Sequence, residues 1–384
     1  MLVRHFYFDH NATTPVAPEV LEAVSLCLGQ VYGNASSIHY FGQLAKQRLE
    51  AARRQVAALI GCAPTELVFT SGGTEANNMA VLGVARSAIG GRGGAKHVIV
   101  SAIEHPAVLG PCAQVEREGV QVTRVRVGSS GIVDPGDIRS ALRPETALIS
   151  IMHANNELGT IQPVGEIARI AHEAGVPLHV DGVQALGKIP VDVRELGADL
   201  YSMSAHKLYA PKGCGALYIR KGIKLAGIAF GGHHERDRRP GTENVPGIAG
   251  FGAAAELALN RCMDGALRDR LEEAVIERIP GTAVNGDRHS RTPNTTNIRF
   301  EAIDGEAMVI ALDLRGFAVS TGSACSSGAI TPSHVLTAIG LSADSARSSI
   351  RFSLGHANTV EQVDQLVEAL EASVAHLRRI SVYA

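Results

Sequence analysis

Lys207 and Asp181 are the residues whose types and positions first indicate chemistry. Lys207 closes the polar run SAHK at residues 204–207, after an apolar stretch typical of a β-strand, and Asp181 ends a second such stretch. A lysine amine can form a Schiff base with an aldehyde cofactor, and a carboxylate opposite it can hold a protonated ring nitrogen, as pyridoxal 5'-phosphate requires. A lone lysine after a strand is more commonly a solvated charge, so the pair needs supporting motifs.

A candidate phosphate site is the second motif. Residues 70–78 read TSGGTEANN, follow a short apolar stretch and precede a helical apolar pattern from Met79. Backbone N–H groups at a helix start attract an anion, and glycine allows a close approach. Ser204 and His206 could add donors. The alternative is an ordinary threonine-capped helix after a glycine turn.

Cys325 is the candidate for sulfur chemistry. It lies in the run VSTGSACSSG at residues 319–328, whose glycines and serines predict an exposed loop. The alternative is an incidental surface thiol. The other five cysteines lie in or beside apolar or helical patterns and are expected to act as small hydrophobic side chains: Cys27, Cys62, Cys112, Cys214 and Cys262.

Metal and disulfide frameworks lack support in this sequence. No pair of cysteines has the C-x-x-C spacing. His233 and His234 are adjacent but have no third ligand nearby, so a solvated or subunit-bridging loop is the better interpretation. We therefore predict no metal site.

With these motifs in place, the chain resembles the pyridoxal-phosphate cysteine desulfurases of the NifS/IscS type, in the class-V aminotransferases of fold type I. The resemblance covers nearly the whole chain. One departure is GGHHE at residues 231–235, where relatives more often have GGGQE. The matching segments are YFDHNATTP (7–15), GNASSIH (33–39), EH (104–105), NNELG (155–159), HVDGVQ (179–184), RPGTEN (239–244) and RFSLG (351–355).

The resemblance implies a role for each cofactor residue. Lys207 would bind the cofactor, Asp181 would pair with the pyridine nitrogen and Gln184 would bond to the ring phenolic oxygen. His105 would stack on the ring, and Asn156 would lie near the phenolic oxygen or the substrate. The phosphate would be bound by Gly73, Thr74, Ser204 and His206, and by Thr242 of a neighbouring subunit.

The resemblance also implies a substrate site. Arg351 would bind the amino-acid carboxylate, for which its planar fork is suited, and Asn34 with the turn at Ala12 and Thr13 would close around it. Cys325, as a thiolate, would take the sulfur of L-cysteine. Because a free thiol has a pKa of about 8.5, a nearby group must help to ionise it, and His105 is the candidate base.

The implied activity is conversion of L-cysteine to L-alanine, with a persulfide on Cys325 passed to a protein acceptor in iron–sulfur cluster assembly or thiolation. The Thr242 contact implies a homodimer. Within the same fold the alternatives are an aminotransferase, which would not need Cys325, and a selenocysteine lyase. An alternative of another class is a non-catalytic sulfur carrier or scaffold that binds the cofactor. A nicotinamide dehydrogenase is rejected, because no G-x-G-x-x-G follows the first strand.

Composition indicates a metabolic enzyme. The 384 residues carry a formal net charge of −2 and no basic cluster, which argues against a nucleic-acid partner. No run approaches the roughly 18 apolar residues of a membrane helix, and no N-terminal apolar signal core is evident. We expect a cytoplasmic protein with reduced thiols.

The elements that must position these residues alternate between strand and helix patterns as far as about residue 225. This alternation predicts an α/β fold with a mainly parallel sheet covered by helices on both faces. Ligands bind at the carboxyl ends of such strands. The seven predicted strands cover residues 67–70, 97–101, 122–127, 148–152, 178–180, 200–203 and 216–219, and helices are predicted over residues 18–28, 43–60 and 360–377.

Two domains are predicted. A large cofactor-binding domain would span residues 14–255, and a smaller α+β domain would carry the Cys325 loop. The helical and strand patterns after about residue 256 indicate the smaller domain. The resemblance alone implies that residues 1–13 join residues 256–384 in it.

Overall fold

The computed structural model describes residues 5–89, 96–261, 263–322 and 332–381. Cys325 and Cys262 therefore lie outside the described residues. Of the other cysteines, Cys27, Cys112 and Cys214 are buried and Cys62 is partly buried, all as free thiols. This confirms the prediction that these four act as small hydrophobic side chains.

A seven-stranded sheet forms the centre of the larger part of the chain. Its order is β2-β8-β7-β6-β5-β3-β4, and every neighbouring pair is parallel except the two that involve β8. The fold-class prediction of a mainly parallel sheet is confirmed. The strands are β2 (Leu67–Thr70), β3 (His97–Ser101), β4 (Gln121–Val125), β5 (Thr146–Met152), β6 (Leu178–Asp181), β7 (Leu200–Ser204) and β8 (Gly215–Ile219); a short β1 (Phe6–Tyr7) precedes them.

Helices cover both faces of this sheet, and alternate strand residues supply the two cores. Leu67 and Phe69 pack into one core while Val68 packs into the other, as the two-residue period of a strand requires. One face is covered mainly by α1 (Pro18–Gly29), α2 (Tyr40–Leu59), α6 (Val164–Glu173) and α7 (Val245–Leu259), and the other by α3 (Gly73–Ile89) and α4 (Pro106–Arg117); α5 (Pro135–Ala141) lies beside α6.

A separate hydrophobic core is formed by the C-terminal part of the chain together with residues near its start. Phe8 is buried in this core beside Phe317 and Phe352, and β1 pairs in parallel with β11 (Phe317–Ala318). The remaining elements are α8 (Ala266–Arg278), β9 (Thr282–Val284), β10 (Thr295–Phe300), α9 (Gly305–Asp313), α10 (His334–Ala338), α11 (Ala343–Arg347), β12 (Ser349–Ser353) and α12 (Val360–Ser381).

In this C-terminal part of the chain, β12, β10 and β9 form a three-stranded antiparallel sheet in that order. The predicted domain boundary at residues 255/256 falls inside α7, and the domain limits stay a prediction. No described helix has the length and apolar character needed to span a membrane.

The loop before α7 is irregular, as its glycines and charges predict. Glu235, Arg236 and Asp237 adopt positive φ angles of 45°, 59° and 64°, which side-chain-bearing residues rarely do. The carboxylate of Glu235 holds the loop in place, because it accepts hydrogen bonds from Arg53 at 2.9 and 2.7 Å and from the Phe69 backbone N–H at 2.8 Å. No metal-binding group of side chains occurs among the described residues, and His233 pairs with Asp237.

Candidate active site

The candidate site lies where β3, β5, β6 and β7 end, at the carboxyl edge of the sheet. Strand ends of a parallel sheet meet at one edge and leave backbone and side-chain groups free for ligands. His105 follows β3, Asn156 follows β5, Asp181 ends β6 and Lys207 follows β7 in a short 3₁₀ turn. This edge is where the sequence predicts a cofactor.

Asp181 is a buried carboxylate held by two donors. Its Oδ2 accepts from Asn77 Nδ2 at 2.7 Å and its Oδ1 from the Val183 backbone N–H at 3.0 Å. Burial raises the pKa of Asp181, while these bonds and the nearby His105 and Lys207 lower it. A buried carboxylate with no ion pair among the described residues is suited to a cationic partner such as a protonated ring nitrogen.

Lys207 presents its amine to the start of the chain. Its Nζ donates to the backbone carbonyls of Asn11 and Ala12, the latter at 2.6 Å. Burial, followed by the positive charge of Arg351, lowers the pKa of Lys207 from 10.5 to about 8. About a tenth of an amine with this pKa is unprotonated at pH 7, and the unprotonated amine is a nucleophile and a base.

The start of α3 fits a phosphate. Gly73 is the first helical residue, and a Cβ built on it would lie 2.7 Å from Val183 Cγ2 and 3.4 Å from Ser204 Cβ. Only glycine therefore allows this close approach of backbone, side chain and β7. Free N–H groups at the start of this helix and the Ser204 hydroxyl make a suitable anion cradle. Thr74 lines a neighbouring cavity of about 390 Å³ with His105.

His105 and His206 are neutral rings with defined partners. His105 caps α4, and its Nδ1 accepts from the Ala107 backbone N–H at 3.1 Å, so the neutral ring carries its proton on Nε2. Burial lowers the pKa of His105, Asp181 raises it and Lys207 lowers it. His206 contacts Thr13 Oγ1 at 3.1 Å, and burial lowers its pKa to about 4.

This tautomer bears on the predicted base role of His105. Its Nε2 is a donor, and its Nδ1 lone pair is already used by Ala107. The ring can accept a proton from a thiol only when that bond is released. The base role of His105 stays a prediction.

Asn11 links several of the predicted residues. Its carbonyl accepts from Lys207 and from Gln184 Nε2 at 2.9 Å. Its Nδ2 donates to the Asn156 carbonyl at 3.0 Å. Gln184 also accepts, through Oε1, from Lys188 Nζ. Gln184, Asn156 and Lys207 are thus brought together by a residue outside the predicted set.

Arg351 is 4% exposed, in the centre of β12. Its Nη2 pairs with Asp9 Oδ1 at 2.5 Å, and its Nη1 donates to the Asn156 carbonyl at 3.1 Å. Its Nε is buried without a hydrogen-bond partner among the described residues. An unmade buried hydrogen bond is costly, so Nε is an unsatisfied donor in the substrate-free site.

Neither Asn34 nor Thr242 has a hydrogen bond to this cluster in the described part of the chain. Asn34 is exposed, and its side-chain oxygen accepts from the Ser36 backbone N–H at 2.9 Å. Thr242 is exposed on the single chain, so its predicted contact with a second subunit stays a prediction. Cys325 lies outside the described residues, although Gly322 and Ser333, on either side of it, both lie against Glu157.

Sequence reasoning missed four residues that hold the site together. Asp9 and Asn11 lie within the matching segment at residues 7–15, and Asn77 lies one helical turn after Gly73, so their motifs could have indicated them. Lys188 follows Gln184 by four residues, but in a turn rather than a helix. No local pattern signals its contact with Asn11.

Comparison with known proteins gives consistent results. The aminotransferase class-V family model matches residues 6–366. Cysteine desulfurase IscS of Dictyoglomus turgidum is 49% identical, over 99% of this chain and 97% of its own length. A solved NifS-like protein superposes with a TM-score of 0.90 at 36% identity, over 97% of this chain and 100% of its own. The solved structure of SspA in complex with cysteine superposes with a TM-score of 0.81 at 37% identity, over 91% of this chain and 98% of its own.

Proposed function

Because the chain belongs to the class-V aminotransferase family and is a pyridoxal-phosphate-dependent cysteine desulfurase, we propose that it holds the cofactor with Lys207, Asp181 and the start of α3 and passes the sulfur to Cys325. One observation supports this proposal: three groups lie at the same edge of the sheet. They are the Lys207 amine, whose pKa is lowered, the buried carboxylate of Asp181 and the anion cradle at Gly73.

Bound pyridoxal 5'-phosphate supplies an electron sink for carbon chemistry at the substrate. Its phosphate would be bound by Gly73, Thr74, Ser204 and His206, and by Thr242 from a second subunit. Asp181 would hold the ring nitrogen in its protonated form, His105 would cover one face of the ring, and Gln184 would donate to the ring oxygen with Asn156 beside it.

Substrate orientation would come from Arg351. Its guanidinium is positioned by Asp9 and by the Asn156 carbonyl, and its remaining N–H groups would bind the carboxylate of L-cysteine. Ala12 and Thr13 would line the same region, since the Ala12 carbonyl already contacts Lys207. Asn34 would approach from the exposed side.

Proton movement would be carried by Lys207. At a pKa of about 8, its free amine can take the Cα proton at Nζ and later return a proton to the substrate. The carbonyls of Asn11 and Ala12 aim Nζ and solvate the ammonium form.

Sulfur transfer would end on Cys325. The Cys325 thiolate attacks the substrate sulfur, a new S–S bond forms, and the substrate Cβ–S bond breaks with its electron pair passing to the substrate carbon skeleton. That skeleton leaves as L-alanine once protonated, and the persulfide stays on the protein. A protein acceptor would then take the sulfur for iron–sulfur cluster assembly or thiolation. The enzyme would act as a homodimer in the cytoplasm.

To test this proposal, the purified holoenzyme is incubated with L-cysteine and a reductant, and the alanine and sulfide released are measured. We expect equal amounts of both. Cys325→Ser should keep the cofactor absorbance and lose both products, whereas the control Cys62→Ser should keep them, since burial raises the pKa of the Cys62 thiol to about 12 and makes it inert. Full activity in Cys325→Ser would overturn the proposal, and a keto-acid product without sulfide would favour an aminotransferase.

A further inference from the structure

Lys188 is an unusual lysine beside the site. Its side chain turns inward from the turn that follows β6, and Nζ donates to Asn11 Oδ1 at 2.7 Å and to Gln184 Oε1. It has no ion pair with any described carboxylate. A lysine amine directed at two amide oxygens rather than at a carboxylate indicates a positional role.

The first consequence concerns the amide of Gln184. Its Oε1 faces the Lys188 amine and its Nε2 donates to the Asn11 carbonyl at 2.9 Å. Rotating the amide by half a turn would put NH₂ against the lysine and oxygen against oxygen, so one orientation is strongly favoured. The second N–H of Nε2 therefore stays available as a donor.

The second consequence concerns Asn11. Lys188 and Asn294 both donate to its Oδ1, at 2.7 and 3.1 Å, and its Nδ2 donates to Thr295 Oγ1 at 2.9 Å. Both ends of the Asn11 amide are fixed in this way. Its backbone carbonyl is then held where Lys207 Nζ contacts it.

We propose that Lys188 is a positioning residue of the cofactor site: it orients Gln184 as a donor toward the ring oxygen and holds the Asn11 carbonyl against the Lys207 amine. This inference rests on the proposed contact between Gln184 and the cofactor. It adds a lysine that touches neither substrate nor cofactor but acts through two residues that face Lys207.

The test uses the holoenzyme and follows cofactor absorbance as a function of pH. Losing the oriented donor to the ring oxygen should raise the titration midpoint of the cofactor nitrogen bound to Lys207. We expect Lys188→Met to raise it by about one pH unit. Lys188→Arg, which keeps N–H donors at this position, should recover at least half of that shift, and the exposed-lysine control Lys224→Met should leave the midpoint unchanged.

A double-mutant cycle separates action through Gln184 from a general charge effect. In a Gln184→Ala background, Lys188→Met should produce less than half of its original shift. An equal shift in both backgrounds would overturn the positioning role. The positioning role would also be overturned if Gln184→Ala moves the midpoint and Lys188→Met does not. If Gln184→Ala has no effect on the midpoint, the proposed contact of Gln184 with the ring is refuted instead. Should Lys188→Met not fold, Lys188→Gln replaces it in the same cycle.

Discussion

The reactivity of Lys207 should depend in opposite directions on its two charged neighbours. After burial, the guanidinium of Arg351 lowers the pKa of Lys207 most, whereas the carboxylate of Asp9 raises it. Replacing Arg351 by Met removes a cation and should raise the pKa. Replacing Asp9 by Asn removes an anion, frees the charge of Arg351, and should lower it further.

The magnitude follows from the pKa of about 8, against an ordinary 10.5. At pH 8 about half of the Lys207 amine is unprotonated, compared with roughly 0.3% for an ordinary lysine. The structure therefore supplies an increase in reactive amine on the order of 100-fold. A neighbouring charge typically shifts a pKa by about one unit or more, so Arg351→Met should move the titration upward by about one pH unit.

The assay is capture of pyridoxal 5'-phosphate by the apoprotein, followed by absorbance at a series of pH values. Capture needs the unprotonated amine, so its rate should rise through a midpoint near pH 8, and Lys207→Ala should show no covalent capture. No substrate is present, so loss of carboxylate binding in Arg351→Met cannot interfere. A wild-type midpoint near 10.5, or movement of both variants in the same direction, would refute the electrostatic reasoning.

Three further changes test the surrounding structure. Asn77→Leu removes the donor that lies 2.7 Å from Asp181. Because loss of a hydrogen bond to a charged group costs about 1.5–3 kcal/mol, equilibrium dialysis should show cofactor binding weakened by at least 10-fold. Unchanged cofactor affinity would contradict the proposed contact between Asp181 and the cofactor. Gly73→Ala should weaken cofactor binding because its Cβ would meet Val183 at 2.7 Å, whereas Gly165→Ala, which meets nothing within 4 Å, should leave binding unchanged in the same dialysis. Glu235→Gln breaks a buried ion pair and should lower the free energy of unfolding by about 3–5 kcal/mol in urea; a wild-type unfolding midpoint would show that the pair is dispensable.

Local patterns predict the sheet and its carboxyl edge well. The strands at residues 67–70 and 97–101 agree with the predicted bounds, and the others differ only at their ends. Apolar runs between turn residues are a signal within a few neighbouring positions. The reversed direction of β8 carried no such signal, because a buried strand has the same composition in either direction.

The site was predictable residue by residue only where a motif preserves it. Asp181, Ser204 and Lys207 lie at strand ends that the pattern identifies. The bond between Lys188 and Asn11 joins residues 177 positions apart, and no periodicity reports a contact at that distance. The Nε2 tautomer of His105 likewise depends on a backbone N–H whose position only the folded helix defines.

The ion pair between Asp9 and Arg351 can form only late in the synthesis of the chain. These residues are 342 positions apart, so a ribosome adding about 5–20 residues per second needs on the order of 20–70 seconds to deliver the second after the first. Phe8, Asp9 and Asn11 lack their partners in β10, β11 and β12 until each of those strands has been synthesised. The central sheet can assemble during that interval, but Lys207 cannot reach its final electrostatic setting until β12, which carries Arg351, has been synthesised. Cofactor loading should therefore follow chain completion rather than accompany it.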